Sequence, residues 1–356
     1  MPSSIELRSH GGLLDRELAD LGICPDDVLD ASVNVNPYGP CAAVVRAIRN
    51  ARLERYPDPT AHAAREAIAR ATNSRPAGVV LGNGAADLLW TLARVLLAPG
   101  SRALIVEPAF SEMGAAVEAA GGRPIAWRAR EEDHFGVNLD AVADLALRSE
   151  SCLVYLCTPG NPTGRSISAS AVAEFARSLP ECTVVVDESF LSLSEDWEDH
   201  GYPMPGNVVR VRSLTKEHAL AGVRVGYLLA SDDLAARIEV SRPPWTTNAL
   251  AQAAAIAATG AQAFAEESRR RVLADRRRLV VVLGELGFYS SPTTTLFCMV
   301  RVDDGAAMRA RVLARHRVLV RDCTSFGLPT FVRVCAQPIV REPRLLAAFE
   351  EESKRQ

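Results

Sequence analysis

Lys216 stands in the run Ser213-Leu-Thr-Lys-Glu-His-Ala-Leu-Ala-Gly-Val-Arg-Val-Gly-Tyr227, directly after an apolar, strand-like stretch. The hydroxyls of Ser213 and Thr215 and the guanidinium of Arg224, eight residues past the lysine, suit a phosphate. A lysine beside phosphate ligands suits Schiff-base chemistry with an aldehyde. Together these types and spacings point to pyridoxal 5'-phosphate (PLP), whose ring is the electron sink while the protein binds and orients. A surface lysine near a turn and an arginine in an ion pair would explain each residue singly, so the rest of the chain must decide.

Further groups point the same way. Gly82-Asn-Gly-Ala-Ala-Asp87 opens a helix-like stretch, and free N–H groups at a helix start favour a phosphate. Asp187 follows Thr183-Val-Val-Val186 and so emerges at a buried strand end. A carboxylate there needs a partner, and a protonated pyridine nitrogen is one. Asn161 lies in a Pro/Gly turn, Thr158-Pro-Gly-Asn-Pro-Thr-Gly164, from which its amide can donate to a phenolate oxygen. Phe110 can stack on an aromatic ring. Arg333, in the last strand-like run, can fork onto a substrate carboxylate, and Arg321 is a second anion ligand. For both arginines an ordinary surface ion pair is the plain alternative.

The elements that must position these groups follow from periodicity. Between residues 78 and 230, short apolar runs alternate with amphipathic ones, which reads as α/β: a mostly parallel sheet with helices on both faces. Every polar motif falls at the carboxyl end of an expected strand, where open α/β sheets bind ligands. The expected organisation is an N-terminal arm over 1–40, a large domain over 41–245, connecting helices over 246–285 and a smaller α+β domain over 286–356.

Composition excludes several classes. With 356 residues, 48% hydrophobic, 23% charged and a net charge of −3, the chain is ordinary globular protein. No basic stripe interleaved with aromatics suggests a nucleic-acid face, and Arg269-Arg-Arg271 with Arg276-Arg-Arg278 reads as a solvated helix face. Eight cysteines show no Cys-x-x-Cys pair and no zinc-type spacing, so no metal is expected and the thiols read as buried in a reducing compartment. No apolar stretch of about twenty residues and no signal-peptide core is present, so a cytoplasmic protein without membrane contact is expected.

Asn161-Pro-Thr-Gly164, Asp187-Glu188, Ser213-Leu-Thr-Lys216, Arg224 and Arg333 stand in the order and approximate spacing of the class I/II aminotransferase superfamily, fold type I. The chain resembles that superfamily over nearly its whole length. The resemblance implies a PLP enzyme in which Lys216 forms the Schiff base, Asp187 meets the ring nitrogen and Asn161 the phenolate oxygen. Gly84, Ala85, Ala86, Ser213, Thr215 and Arg224 hold the cofactor phosphate, and Arg333 holds the substrate carboxylate. It also implies a homodimer with shared active sites, Tyr56 in Arg55-Tyr-Pro-Asp58 reaching the neighbouring subunit's cofactor phosphate.

Within the superfamily the chain is similar to the branch of histidinol-phosphate aminotransferase and L-threonine-O-3-phosphate decarboxylase. His10-Gly-Gly12 with Asp30-Ala-Ser-Val-Asn-Val-Asn-Pro37, which contains Asn34, resembles the decarboxylase's N-terminal signature. Phe190 stands where the aminotransferases place a tyrosine, and Val318-Leu-Val-Arg-Asp-Cys323 resembles the decarboxylase's substrate-phosphate segment. The expected activity is therefore a threonine-phosphate-decarboxylase-like loss of CO2, with Arg321 and His10 on a substrate phosphate and Asn34 beside them. An aminotransferase is the alternative, and a non-enzymatic binding protein is disfavoured by the complete set. Met113, Ser189 and Glu217-His218 depart from the decarboxylase pattern and leave the substrate open.

Overall fold

The computed structural model describes residues 11–355. The chain packs as two units, a smaller one of residues up to Asn34, Ala274–Pro292 and from Leu296 on, and a larger one of Val35–Leu273 with Thr293–Thr295. The first strand, β1 (Leu29–Asp30), belongs to the smaller unit.

The larger unit is built on a seven-stranded sheet of β2 (Val79–Gly82), β3 (Arg102–Glu107), β4 (Arg123–Arg128), β5 (Leu153–Cys157), β6 (Thr183–Asp187), β7 (Val208–Ser213) and β8 (Gly226–Leu229). Its order is β2-β8-β7-β6-β5-β3-β4, all parallel except β8, which runs antiparallel to both neighbours. The mostly parallel sheet expected from the sequence is therefore present. The central strands are rich in valine and leucine and buried on both faces, as parallel strands covered by helices must be.

Alternation along each strand divides the core. Tyr155, Val185 and Val211 face one side, against Leu88, Leu89 and Leu92 of the helix Ala85–Leu96. Val154, Leu156, Val184 and Val186 face the other, against Val172, Phe175 and Ala176 of the helix Ala169–Ser178. Each fully buried aliphatic side chain contributes about 1.5–3 kcal/mol, so register is fixed on both faces. A one-residue slip would reverse every side chain. That fixed register holds the polar residues at the strand ends.

In the smaller unit, β1 pairs in parallel with β10 (Val318–Leu319). A second, antiparallel sheet has the order β11 (Arg321–Asp322), β12 (Phe331–Cys335), β9 (Phe297–Arg301). All eight cysteines are free thiols. Among the described residues no helix is long and apolar enough to cross a membrane, and no cluster of three or more His, Cys, Asp or Glu could hold a metal ion.

Candidate active site

Beyond the carboxyl ends of β2, β5, β6 and β7 lies a cavity of about 100 Å³. It is lined by Ala85, Ala86, Phe110, Cys157, Asn161, Asp187, Ser189, Phe190, Ser213, Thr215, Lys216 and Arg224. Nine of these twelve are residues singled out above for cofactor binding: Ala85, Ala86, Phe110, Asn161, Asp187, Ser213, Thr215, Lys216 and Arg224. They come from separate stretches of sequence and converge because the strands carrying them are adjacent.

One end of the cavity is built for an anion. Gly84 caps the helix Ala85–Leu96 with φ 85°, which only glycine adopts without strain. A Cβ on Gly84 would lie 2.6 Å from Nη2 of Arg224, so the guanidinium lies directly against the helix start. A Cβ on Gly226 would lie 2.8 Å from the Ala85 nitrogen and 2.9 Å from the Arg212 carbonyl oxygen. Glycine at 226 is what lets β8 pass this close under the cradle. Arg224 itself is left-handed at φ 59° and donates from Nη1 to the Ala221 carbonyl at 3.0 Å. Ser213 Oγ and Thr215 Oγ1 lie 2.5 Å apart, both buried. A helix N-terminus, two hydroxyls and a guanidinium form a phosphate donor set.

The other end holds a carboxylate. Asp187 is 3% exposed; Ser189 N–H donates to its Oδ1 at 3.0 Å and the Tyr155 hydroxyl to its Oδ2 at 2.9 Å. Burial raises its pKa, while Ser189, Tyr155 and the Lys216 charge act in the opposite direction. Between the two ends, Lys216 sits in the short helix Leu214–Glu217, with Nζ 5.8 Å from the Phe190 ring centroid. Its backbone is pinned by Asn36, whose N–H donates to the Lys216 carbonyl at 2.9 Å and whose Nδ2 donates to the Glu217 carbonyl at 2.8 Å. The Asn161 turn is closed by Gly164 N–H donating to the Gly160 carbonyl at 2.7 Å.

Behind the site, Glu188 turns to the opposite face from Asp187, as successive strand residues must. It accepts from Arg210 Nε through Oε1 and from Arg212 Nε through Oε2, each at 2.7 Å, and all three side chains are buried. Burial alone would lower the Arg212 pKa, but Glu188 and Tyr227 together outweigh it and hold the guanidinium above its ordinary value. The clamp ties the end of β6, which carries Asp187, to β7, which carries Ser213 and leads to Lys216.

Tyr56 does not line this cavity; its ring is 81% exposed and stacks on Trp245 at 4.7 Å. Met113 is fully buried in the core beneath the sheet, so it is a packing residue. His218 is buried as well, stacked on Phe264 at 6.0 Å. Ser189 and Cys157, given no role from sequence, line the cavity.

The remaining candidates belong to the smaller unit. Arg321 and Arg333 are cross-strand partners on β11 and β12, so both guanidiniums leave the same face, and both are buried. Arg321 Nη2 donates to Ser325 Oγ at 2.6 Å, and Arg333 Nη2 to the Ser32 carbonyl at 2.7 Å. Burial, with Arg321 acting in the same direction, lowers the Arg333 pKa to about 10. Two like charges side by side favour an anion between them. Asn34 is 2% exposed, and among the described residues neither its amide oxygen nor its amide nitrogen has a hydrogen-bond partner. His10 lies outside the described residues.

This geometry is a phosphate cradle, a lysine and a buried carboxylate in one cavity. The sequence pattern of the family described as aminotransferase class I and II matches residues 26–349. The chain belongs to that family. Among its relatives, histidinol-phosphate aminotransferase 2 of Ralstonia nicotianae is 34% identical over 344 residues, covering 93% of this chain and 90% of that one. The threonine-phosphate decarboxylase of Salmonella typhimurium is 32% identical over 352 residues, covering 96% and 95%. The structure of Sinorhizobium meliloti histidinol-phosphate aminotransferase, solved in complex with PLP, superposes with a TM-score of 0.85 at 25% identity, covering 97% of this chain and 96% of that one. This family member is thus an enzyme of the aminotransferase and decarboxylase group with the fold type I architecture. Most of the similar relatives carry the aminotransferase name. That favours the alternative over the decarboxylase, which the sequence alone had placed first.

The chain has only two lysines, Lys216 and Lys354. Lys354 is exposed near the C-terminus and pairs with Glu350 at 2.9 Å. Lysine chemistry in a cavity is left to Lys216 alone.

Proposed function

We propose that the protein is a PLP-dependent aminotransferase acting on a phosphorylated amino compound of the histidinol-phosphate type, with a 2-oxo acid as the second substrate. The convergence of the phosphate cradle, Lys216 and Asp187 in one cavity carries the cofactor reading, and the relatives carry the reaction type. When bound, the cofactor supplies an electron sink for the bond that breaks at the substrate carbon. The chain's own residues do the rest. Gly84, Ala85, Ala86, Ser213, Thr215 and Arg224 hold the phosphate, and Asp187 takes the ring nitrogen. Asn161 donates to the phenolate oxygen, and Phe110 covers the ring. Lys216 Nζ would anchor the cofactor aldehyde and, when free, would be the group that holds the proton removed from the substrate carbon.

Arg333, Arg321 and Asn34, with His10, are the groups we assign to the anionic parts of the substrate. The homodimer and the reach of Tyr56 to the partner's cofactor phosphate are part of the same reading, supported by the exposure of the Tyr56–Trp245 stack.

Phe190 supports a second reading, decarboxylation of threonine phosphate, because it places no hydroxyl in this wall of the cavity. Incubation with histidinol phosphate plus 2-oxoglutarate, and separately with L-threonine phosphate, tests the two. Glutamate in the first mixture is expected; CO2 from the second without glutamate from the first would overturn the proposal in favour of the decarboxylase.

The cradle makes its own prediction. Gly226→Val forces a side chain into the 2.8 Å approach to Ala85. Overpacking of this kind costs about 1–3 kcal/mol, so PLP affinity should fall roughly ten- to hundredfold, read by equilibrium titration of the cofactor's absorbance.

A further inference from the structure

Tyr155 is the largest polar side chain in the cavity's supporting layer, and neither the sequence motifs nor the proposed chemistry uses it. It is 0% exposed and sits on β5 two residues before Cys157, which is the register partner of Asp187 on β6. Tyr155, Cys157 and Asp187 therefore share one face of the sheet. Any buried phenol needs a hydrogen-bond partner. Here the acceptor, at 2.9 Å, is Oδ2 of the carboxylate at the end of the cavity.

The groups facing Asp187 are few. Ser189 donates from its own segment, Tyr155 and the Cys157 thiol come from β5, and the Lys216 ammonium comes from the helix Leu214–Glu217. Burial, reinforced by the Asp187 charge, pushes the Tyr155 phenol well above its ordinary range, so it keeps its proton and remains a donor. Burial likewise pushes Cys157 well up, so the thiol adds no charge beside the carboxylate. A neutral donor fixed on one oxygen stabilises the ionised form of Asp187 and fixes the plane of the carboxylate.

We propose that Tyr155 is a positioning residue for the cofactor ring, holding Asp187 ionised and aimed so that it can accept from the ring nitrogen. The inference rests on the PLP reading and assigns the ring-nitrogen contact a support that the family motifs do not name. Without the phenol, Asp187 becomes more basic and draws the shared proton toward itself, which weakens the cationic ring.

The test uses the full chain loaded with PLP and, separately, with the PLP analogue that has CH in place of the ring nitrogen. Tyr155→Phe is expected to raise the PLP dissociation constant roughly tenfold or more, the scale of one buried hydrogen bond to a charged group. It should leave affinity for the carbon analogue unchanged. In an Asp187→Asn background, Tyr155→Phe should add nothing, because the two changes remove the same contact. Equal losses for both cofactors, or equal losses in both backgrounds, would overturn the inference and reduce Tyr155 to a packing residue. Should Tyr155→Phe alone fail to fold, the Asp187→Asn and double variants, which carry no orphaned carboxylate, still make the comparison. Wild-type protein that binds neither cofactor would overturn the PLP reading, and this inference with it.

Discussion

Lys216→Ala is expected to abolish turnover, by roughly a thousandfold or more, because in the proposed function one substitution removes both the covalent anchor and the proton carrier. The absorbance of lysine-bound PLP should vanish with it. PLP should still associate, since the phosphate cradle of Gly84, Ser213, Thr215 and Arg224 and the carboxylate of Asp187 are untouched. The fold should also hold. Lys216 is the third residue of a four-residue helix whose backbone is held by contacts from Asn36 rather than by the lysine side chain. Stopped-flow product formation and the cofactor spectrum check the first two outcomes, and far-ultraviolet circular dichroism checks the third. A variant that keeps near-wild-type turnover would remove Lys216 from the chemistry.

Glu188→Ala is expected to have the largest effect on stability, about 3–5 kcal/mol. The substitution strands Arg210 and Arg212, both buried on the face opposite the cavity, without the carboxylate that bridges them at 2.7 Å on each side. An uncompensated buried charge costs far more than a buried pair contributes. Replacing all three residues together with apolar ones of similar volume should be much milder, because no charge is left behind. Chemical denaturation of the single and triple variants separates the two cases. Similar losses in both would mean that the region depends on the ion trio for shape rather than for charge balance. Because the trio joins the ends of β6 and β7, the single variant should also bind PLP more weakly as Asp187 loses its fixed depth beside Ser213.

Much of this was legible in the sequence, for a physical reason. In a parallel sheet the polar residue that ends a β-branched run has one place to go, the crevice beyond the strand, so Asp187, Ser213 and Asn161 could be assigned to one cavity before any coordinates. The glycines at 84 and 226 could be noticed, but the 2.8 Å approach at Gly226 depends on β8 running antiparallel beside β2 and β7, which no local pattern shows. Tyr155 lies inside the apolar run Leu153-Val-Tyr-Leu156, where nothing local marks it, because its partner lies 32 residues away on the next strand. Arg210 and Arg212 were hidden the same way within a strand of valines, their common partner Glu188 being 22 and 24 residues distant. Met113 departs from the decarboxylase pattern in sequence, and the fold turns it into the core. Pairings between strands and the facing of helices are set by the whole sheet, not by local sequence.

The central claim is that Lys216 is the residue that holds the cofactor, and the chain offers an unusually clean way to test it. Purified protein loaded with PLP is reduced with borohydride, digested, and the pyridoxyl group located by peptide mass. With only two lysines in the chain, the expected result is modification of Lys216 and none of Lys354. A pyridoxyl group on Lys354 alone, or on neither lysine, would contradict the account.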